Sequence, residues 1–380
     1  MSALRLAFIT NLCPYYRRPL FEVLGQRFNT SFFFFSEGEE RYLGPTLKHE
    51  PGGLPVRNVR RVSIAGSPLL VGLYSELRPE NYDVVVKCIN GRLMLPFTYH
   101  LARRRDLPFV LWSGLWHHPQ TVAHRASRRW VEHIYRGADA IVTYGDHVRR
   151  FIGAVPGVNL EKVYVAGQAI DSKPFSNVAP HFPEPARILY VGRLEESKGV
   201  PELLRAFSAM KRNGDGGVLR LIGTGPLVGK VRAAAGAESG IEVLGYTPNE
   251  AIPGELAHAR CLVLPSVTTK WGREPWGLVI NEAMAAGVPV ITTDAVGAAA
   301  GGLVRDGRNG FVVPEKAPDA LAAAMSRLVS DASLAGTLGA RARVDVAEFD
   351  YSRMVHAFAD AIEHAVTAGN PKRRDFIRDD

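Results

Sequence analysis

Short apolar runs alternate with amphipathic stretches along the length of this chain. In the first half the apolar runs predict strands over residues 4–10, 31–35, 83–87, 108–112, 140–143 and 162–165. Helix-like periodicity falls near 16–28, 92–105 and 121–136. In the last of these, Val122, Trp130, Val131, Ile134 and Tyr135 fall roughly on one face and arginines fill the other. Strands alternating with helices predict parallel strands joined by crossover helices, an open doubly wound α/β sheet. Residues 171–186 carry four prolines (Pro174, Pro180, Pro183, Pro185) and no clear period, which reads as a linker. The pattern then restarts, with strands at 187–191, 218–222, 241–244, 261–264 and 288–292 and a helix over 198–211. Helices are expected near 316–330, 333–348 and 351–367, before a frayed tail dense in charge at 370–380.

The expected organisation is a first doubly wound domain over 1–170, the linker over 171–186, and a second domain over 187–348. A C-terminal helix and tail over 349–380 would pack back toward the first domain. Two doubly wound domains facing a cleft would bind ligands at the carboxyl ends of their strands.

Charge sharpens this division. The chain of 380 residues carries a net +8, but residues 1–183 hold 23 Lys and Arg against 14 Asp and Glu, a net of +9, leaving −1 for the rest. Basic groups cluster at Arg17–Arg18, Arg60–Arg61, Arg103–Arg105, Arg125, Arg128, Arg129 and Arg149–Arg150. They are either solvated helix faces or a surface for an acidic partner, such as anionic lipid or a phosphorylated acceptor. No nucleic-acid-binding motif accompanies the charge, so no nucleic-acid partner is expected. No run approaches the roughly 18–20 apolar residues of a membrane span, and the opening MSALRLAFITNLCPYYRRPLF makes a poor secretory signal. Cys13, Cys88 and Cys261 are odd in number and widely spaced, which suggests buried apolar thiols in a reducing compartment. The expected location is the cytoplasm, with peripheral contact at the inner face of the membrane.

Three segments carry candidate chemistry. In RILYVGRLEESKGVPELLRAF (187–207) a strand ends at Gly192 and a helix starts after Lys198. Arg193 and Lys198 there place two cations beside the free N–H groups of a helix start, a natural site for a diphosphate. In LRLIGTGPL (219–227) a buried strand ends in Gly223-x-Gly225, which would expose backbone N–H groups at a second strand–helix junction. In LVLPSVTTKWGREPWGLVINEAMAAGVPVITTD (262–294) a strand ends at Pro265–Ser266, and a loop leads to Glu274 and then Gly277. The helix that follows carries Glu282, about two turns beyond Glu274 and nearly on the same side. Amides at that helix mouth suit phosphate oxygens, and a carboxylate suits sugar hydroxyls.

These segments, in this order and spacing, resemble the C-terminal domain of the retaining nucleotide-sugar glycosyltransferases of family 4, which have the GT-B fold of two Rossmann-like domains. The resemblance is dense from Ile188 to Pro314, includes DGRNGFVVP (306–314), and is sharpest at Glu274-x7-Glu282. It implies that Gly192, Arg193 and Lys198 hold the donor diphosphate, with amides from Gly277, Leu278 and Val279. Glu282 would take the ribose hydroxyls, with Gly223, Gly225 and Ser266 completing the nucleoside site, and Glu274 would face the transferred sugar. The family's glycine-rich loop after the first strand is replaced here by TNLCPYYRRPLF (10–21). The family's histidine near the sugar corresponds to VLWSGLWHHP (110–119), where His117 is preferred, His118 is one alternative and a structural role for both is the other. The implied reaction moves a sugar from a UDP- or GDP-sugar to a hydroxyl of a saccharide, lipid-linked or small-molecule acceptor. Absence of any Asp-x-Asp motif points to a reaction with neither metal nor cofactor. A nucleotide-sugar epimerase and a non-catalytic sugar-nucleotide binder are the competing readings.

Overall fold

The computed structural model describes residues 4–36 and 49–369, so the charged tail expected at 370–380 lies outside the described residues. The chain divides into two units. Unit 1 takes the residues up to His118, Val122–Gly167, and those from Tyr351 onward; unit 2 takes Pro119–Thr121 and Gln168–Asp350.

Unit 1 contains β1 (Arg5–Thr10), α1 (Arg18–Arg27), β2 (Asn29–Phe34), a hairpin of β3 (Val62–Ile64) and β4 (Ser67–Leu69), and α2 (Leu73–Glu76). It continues with β5 (Val84–Cys88), α3 (Met94–Arg104), β6 (Phe109–Ser113), α4 (Val122–Gly137), β7 (Ala140–Thr143), α5 (Asp146–Gly153) and β8 (Val163–Val165). Its sheet runs β2-β1-β5-β6-β7-β8, all neighbours parallel. Such a sheet is covered on both faces, which is why VVVKC and AIVT read as continuous runs rather than alternating ones.

Unit 2 contains α6 (Lys173–Ser176), β9 (Arg187–Val191), α7 (Val200–Arg212), β10 (Val218–Ile222), α8 (Val228–Ala237), β11 (Ile241–Gly245), α9 (Ile252–Ala257) and β12 (Cys261–Leu264). Then follow α10 (Leu278–Ala285), β13 (Val290–Thr293), α11 (Gly297–Ala300), β14 (Gly310–Val313), α12 (Pro318–Ser330) and α13 (Ala332–Val346). The second sheet runs β11-β10-β9-β12-β13-β14, also parallel. Strand order reverses between β9 and β12, and in unit 1 between β1 and β5; crevices for ligands open at the carboxyl ends of such strands. Both units are Rossmann-like α/β domains.

Helix α7 shows how local sequence sets an element at the site. Gly199 caps it in the left-handed region (φ 67°), Pro201 and Glu202 favour its first turn, and Lys211 and Arg212 its last. Val200, Leu203, Leu204, Phe207 and Met210 fall on one stripe and are buried against Ile188, Leu219 and Val263. In unit 1 the final helix α14 (Tyr351–Gly369) packs Phe358 against Trp112, with ring centroids 5.3 Å apart, and His364 Nδ1 lies 2.9 Å from the Tyr164 hydroxyl. Burying a phenylalanine of this kind stabilises by about 1.5–3 kcal/mol.

Three expectations change. The proline-rich segment is part of unit 2 rather than a bare linker. His181 N–H donates to Ala257 O (2.7 Å), Arg260 pairs with Glu184 (2.6 Å), and Arg343 donates to Val178 O (3.0 Å). Helix α4 buries only Ile134 and Tyr135, while Val122 and Trp130 stand 74% and 56% exposed, because only its C-terminal half meets the core. Of Tyr15, Tyr16 and Trp116, which read in the sequence as exposed aromatics in the basic half, only Tyr15 is exposed, and Trp116 is half-buried on the unit 1 core with its ring 5.0 Å from that of His147. All three cysteines are buried and unbridged. Among the described residues no helix is long and apolar enough to cross a membrane.

Candidate functional site

The site in unit 2 is built where the loops after β9 and β12 meet at the strand-order reversal. Val267 N–H donates to Ser197 O (3.0 Å), and a Cβ placed on Gly199 would lie 1.9 Å from Pro265 O. Only glycine fits that contact and that positive φ, so the two loops are held in van der Waals contact. The Thr292 and Thr293 hydroxyls fix the β12 loop by donating to the carbonyls of Leu264 and Ser266.

Lys198 and Glu274 meet across this seam. The ammonium donates to Glu274 Oε2, and the buried Ser266 hydroxyl donates to the same oxygen at 3.2 Å. Arg193 pairs with Glu195 (3.1 Å), which also accepts from Ser197 (2.6 Å), and Tyr190 donates its hydroxyl to Arg193 O (2.6 Å). Both cations of the expected diphosphate site are therefore held by carboxylates. The sequence reading missed Glu195, Tyr190 and Ser197; only Glu195 carried a local signal, its place between the two cations. The Ser266 hydroxyl, expected at the nucleoside, is committed to Glu274.

Helix α10 starts at Gly277, whose φ of 93° and close approach to Leu264 set the turn. The N–H groups of Leu278 and Val279 lie in the first turn, where no intrahelical carbonyl reaches them. Glu282 follows in the second turn between the buried Asn281 and Ala283. It has no hydrogen-bond or ion-pair partner among the described residues, and burial pushes its carboxyl up to about 7. Asn281 anchors the helix by accepting from Trp276 Nε1 (2.8 Å) and donating to Gln168 O (2.8 Å).

Gly223 does not offer the open amide that the sequence suggested: its N–H donates to Gly245 O (2.7 Å). A Cβ on Gly223 would sit 1.9 Å from Gly192 O, and one on Gly225 2.5 Å from Leu194 O. These glycines let the β10 loop press against residues 192–194 and so shape the backbone before Arg193. A further network was not foreseen: Arg273 donates to Thr268 Oγ1 (2.9 Å), and Glu315 accepts from the Thr268 hydroxyl and N–H. Burial raises the Glu315 carboxyl, but the Thr268 hydrogen bonds outweigh it and leave the group below its ordinary value.

His117 and His118 lie in unit 1. The His118 ring packs on Phe151 (4.8 Å), and burial, then Arg128, lower its pKa.

Comparison with known proteins agrees with this architecture. Residues 185–331 match the model of the glycosyl transferases group 1 family and form a domain of that kind. The chain is 30% identical over 214 residues to an amylovoran biosynthesis glycosyltransferase of Erwinia amylovora, covering 54% of this chain and 52% of that protein. It is 31% identical over 161 residues to a GDP-mannose-dependent phosphatidylinositol monomannoside mannosyltransferase of Mycobacterium tuberculosis, covering 41% of each. The chain thus spans about half or less of these relatives. Among solved structures, Anabaena HepE in complex with UDP superposes with a TM-score of 0.74 at 19% identity, covering 95% of this chain and 99% of that one. The shared fold is that of GT-B glycosyltransferases.

Proposed function

We propose that this protein is a retaining, metal-independent glycosyltransferase that uses a UDP- or GDP-linked sugar. The observation that carries this reading is the Lys198–Glu274 pair beside the open first turn of α10, with the unpartnered Glu282 one turn further on. Unit 2 would hold the donor: Lys198, Arg193 and the N–H groups of Leu278 and Val279 at the diphosphate, Glu282 at the ribose, Glu274 at the transferred sugar. In the reaction the bond from sugar C1 to the diphosphate oxygen breaks with its electrons on the diphosphate. The acceptor hydroxyl forms the new bond to C1 and passes its proton to an oxygen of the departing diphosphate. Fixed positive charge at the leaving diphosphate is the main electrostatic contribution.

Unit 1 would take a saccharide, lipid-linked or small-molecule acceptor, with His117 at the sugar. The packing of His118 on Phe151 supports that choice between the two histidines. The printed names of the relatives include both a polysaccharide pathway and a phosphatidylinositol acceptor, and both are compatible with the basic first half of the chain. The test is incubation with labelled UDP- and GDP-sugars without acceptor. Slow release of free sugar, lost in Glu274→Gln, is the result expected. Conversion of the sugar while still attached to the nucleotide would mean an epimerase, and no turnover with tight binding a non-catalytic binder.

A further inference from the structure

A second charged site lies in unit 1, where strand order reverses between β1 and β5. Lys87, one residue before the end of β5, is fully buried; its ammonium donates to Cys88 O (2.5 Å), Asn90 O (2.7 Å) and Asn90 Oδ1 (3.1 Å) and faces the Phe35 ring at 5.0 Å. Asn90 Nδ2 in turn donates to Asn11 Oδ1 (2.7 Å) and Thr10 Oγ1 (3.2 Å). The buried cation is thereby tied to the loop after β1, and that loop carries Arg17. The Arg17 guanidinium is seated among three rings, 4.8 Å from Trp112, 5.3 Å from Tyr144 and 5.6 Å from Tyr16. Of its donors, only one is used by a neighbour in the described residues, to the Tyr144 hydroxyl (3.2 Å). Trp112, nearly fully buried beneath it, has an Nε1–H with no acceptor in the structure.

Neither Lys87 nor Arg17 has an ion-pair partner among the described residues, in contrast to Arg5 and Arg103, which pair with Asp83 and Asp139. A buried cation without a counter-charge is costly, and an anionic ligand would relieve that cost. Both stand at the carboxyl ends of β1 and β5, where doubly wound sheets place ligands.

We infer that Arg17, backed by Lys87, forms a phosphoryl-binding site in unit 1, and that the acceptor carries a phosphate or diphosphate. The acceptor part of this inference rests on the glycosyltransferase reading above; the anion site does not. The planar fork of arginine suits two oxygens of one phosphoryl group, and Arg17 is the charge that meets the ligand, because burial lowers the Lys87 amine to about 7 and its donors are taken by Cys88 and Asn90. Lys87 is a positioning residue: it fixes Asn90, and through Asn11 the loop that presents Arg17.

The test uses the full chain bearing Lys198→Ala, which weakens the unit 2 anion site, titrated calorimetrically with inorganic pyrophosphate and with glucuronate. Pyrophosphate should bind, adding Arg17→Gln should weaken it about tenfold, and Arg17→Lys should weaken it less. Glucuronate should bind far more weakly. Equal pyrophosphate binding with and without Arg17→Gln overturns the site, and so does equal affinity for glucuronate, which would assign a carboxylate ligand. Circular dichroism checks folding, and if Arg17→Gln does not fold, the Arg17→Lys arm decides by the same criterion. A parallel UDP titration of the unsubstituted protein tests the donor reading. If UDP fails to bind while pyrophosphate binding still depends on Arg17, the anion site stands and the donor reading falls.

Discussion

The Lys198 ammonium donates to the Glu274 carboxylate across 76 residues of sequence, so the cation expected at the diphosphate and the acid expected at the sugar are one electrostatic unit. Removing either charge leaves the other part-buried and unbalanced. Glu274→Ala should mainly lower kcat, and Lys198→Ala should lower kcat and raise the donor KM. The double variant should cost less than the sum of the singles, with a coupling of about 1–3 kcal/mol from kcat/KM. Strict additivity would mean that the two residues act separately.

Glu282 should make both stability and nucleotide affinity depend on pH. Its folded carboxyl titrates at about 7 against an ordinary 4.5, so the folded state holds the proton more tightly than the unfolded chain. Stability from this group is complete below 4.5, falls as pH rises toward 7, and is gone above it. Glu282→Gln should flatten that slope and raise the melting temperature at pH 8. A ribose hydroxyl donating to the carboxylate favours its charged form, so UDP should bind more tightly at pH 8 than at pH 6. Glu282→Gln should remove the difference and weaken binding at pH 8. A flat pH profile of the Kd in the unsubstituted protein would exclude this role.

Glycines of α8 and of the loop before it should respond in opposite ways to alanine. At Gly223 a Cβ would lie 1.9 Å from Gly192 O, and the substitution should cost about 2 kcal/mol or more in urea unfolding. At Gly229, in the exposed part of helix α8, nothing lies within 4 Å, and alanine should be neutral or stabilise by about 0.5–1 kcal/mol.

On the proposed roles of Lys198, Arg193 and the α10 amides at the leaving diphosphate, transfer should continue in excess EDTA. Activity lost to the chelator and restored by magnesium or manganese would remove that mechanism.

Helix α4 presents the exposed Arg125, Arg128 and Arg129 on one side, a basic face suited to anionic lipid. With on the order of 1 kcal/mol per basic residue, adsorption should be weak and reversible. Phosphatidylglycerol vesicles should sediment the protein at low salt and release it at high salt. Changing the three arginines to glutamate should abolish sedimentation; absence of binding at low salt would count against any membrane contact by this face.

The alternation of strands and helices, the two doubly wound halves and the three strand–helix junctions with candidate chemistry were legible in the sequence. Each depends on short-range periodicity, turn residues and capping, which act within a few positions of one another. The Lys198–Glu274 pair was not legible, because it exists only through strand order. Sheet pairing sets β12 beside β9, although β10 and β11 lie between them in the chain, and so brings together two loops that no local rule connects. Trp130 misled for the same reason: helical periodicity shows which residues share a face but not how much of that face meets a core. Helix α14 joins unit 1, although Gln168–Asp350 of unit 2 lies between it and β8. Lys87 reads in sequence as one polar residue in a run of valines. Only the sheet that buries it shows that its amine is held by the oxygens of Cys88 and Asn90 and so fixes the loop after β5.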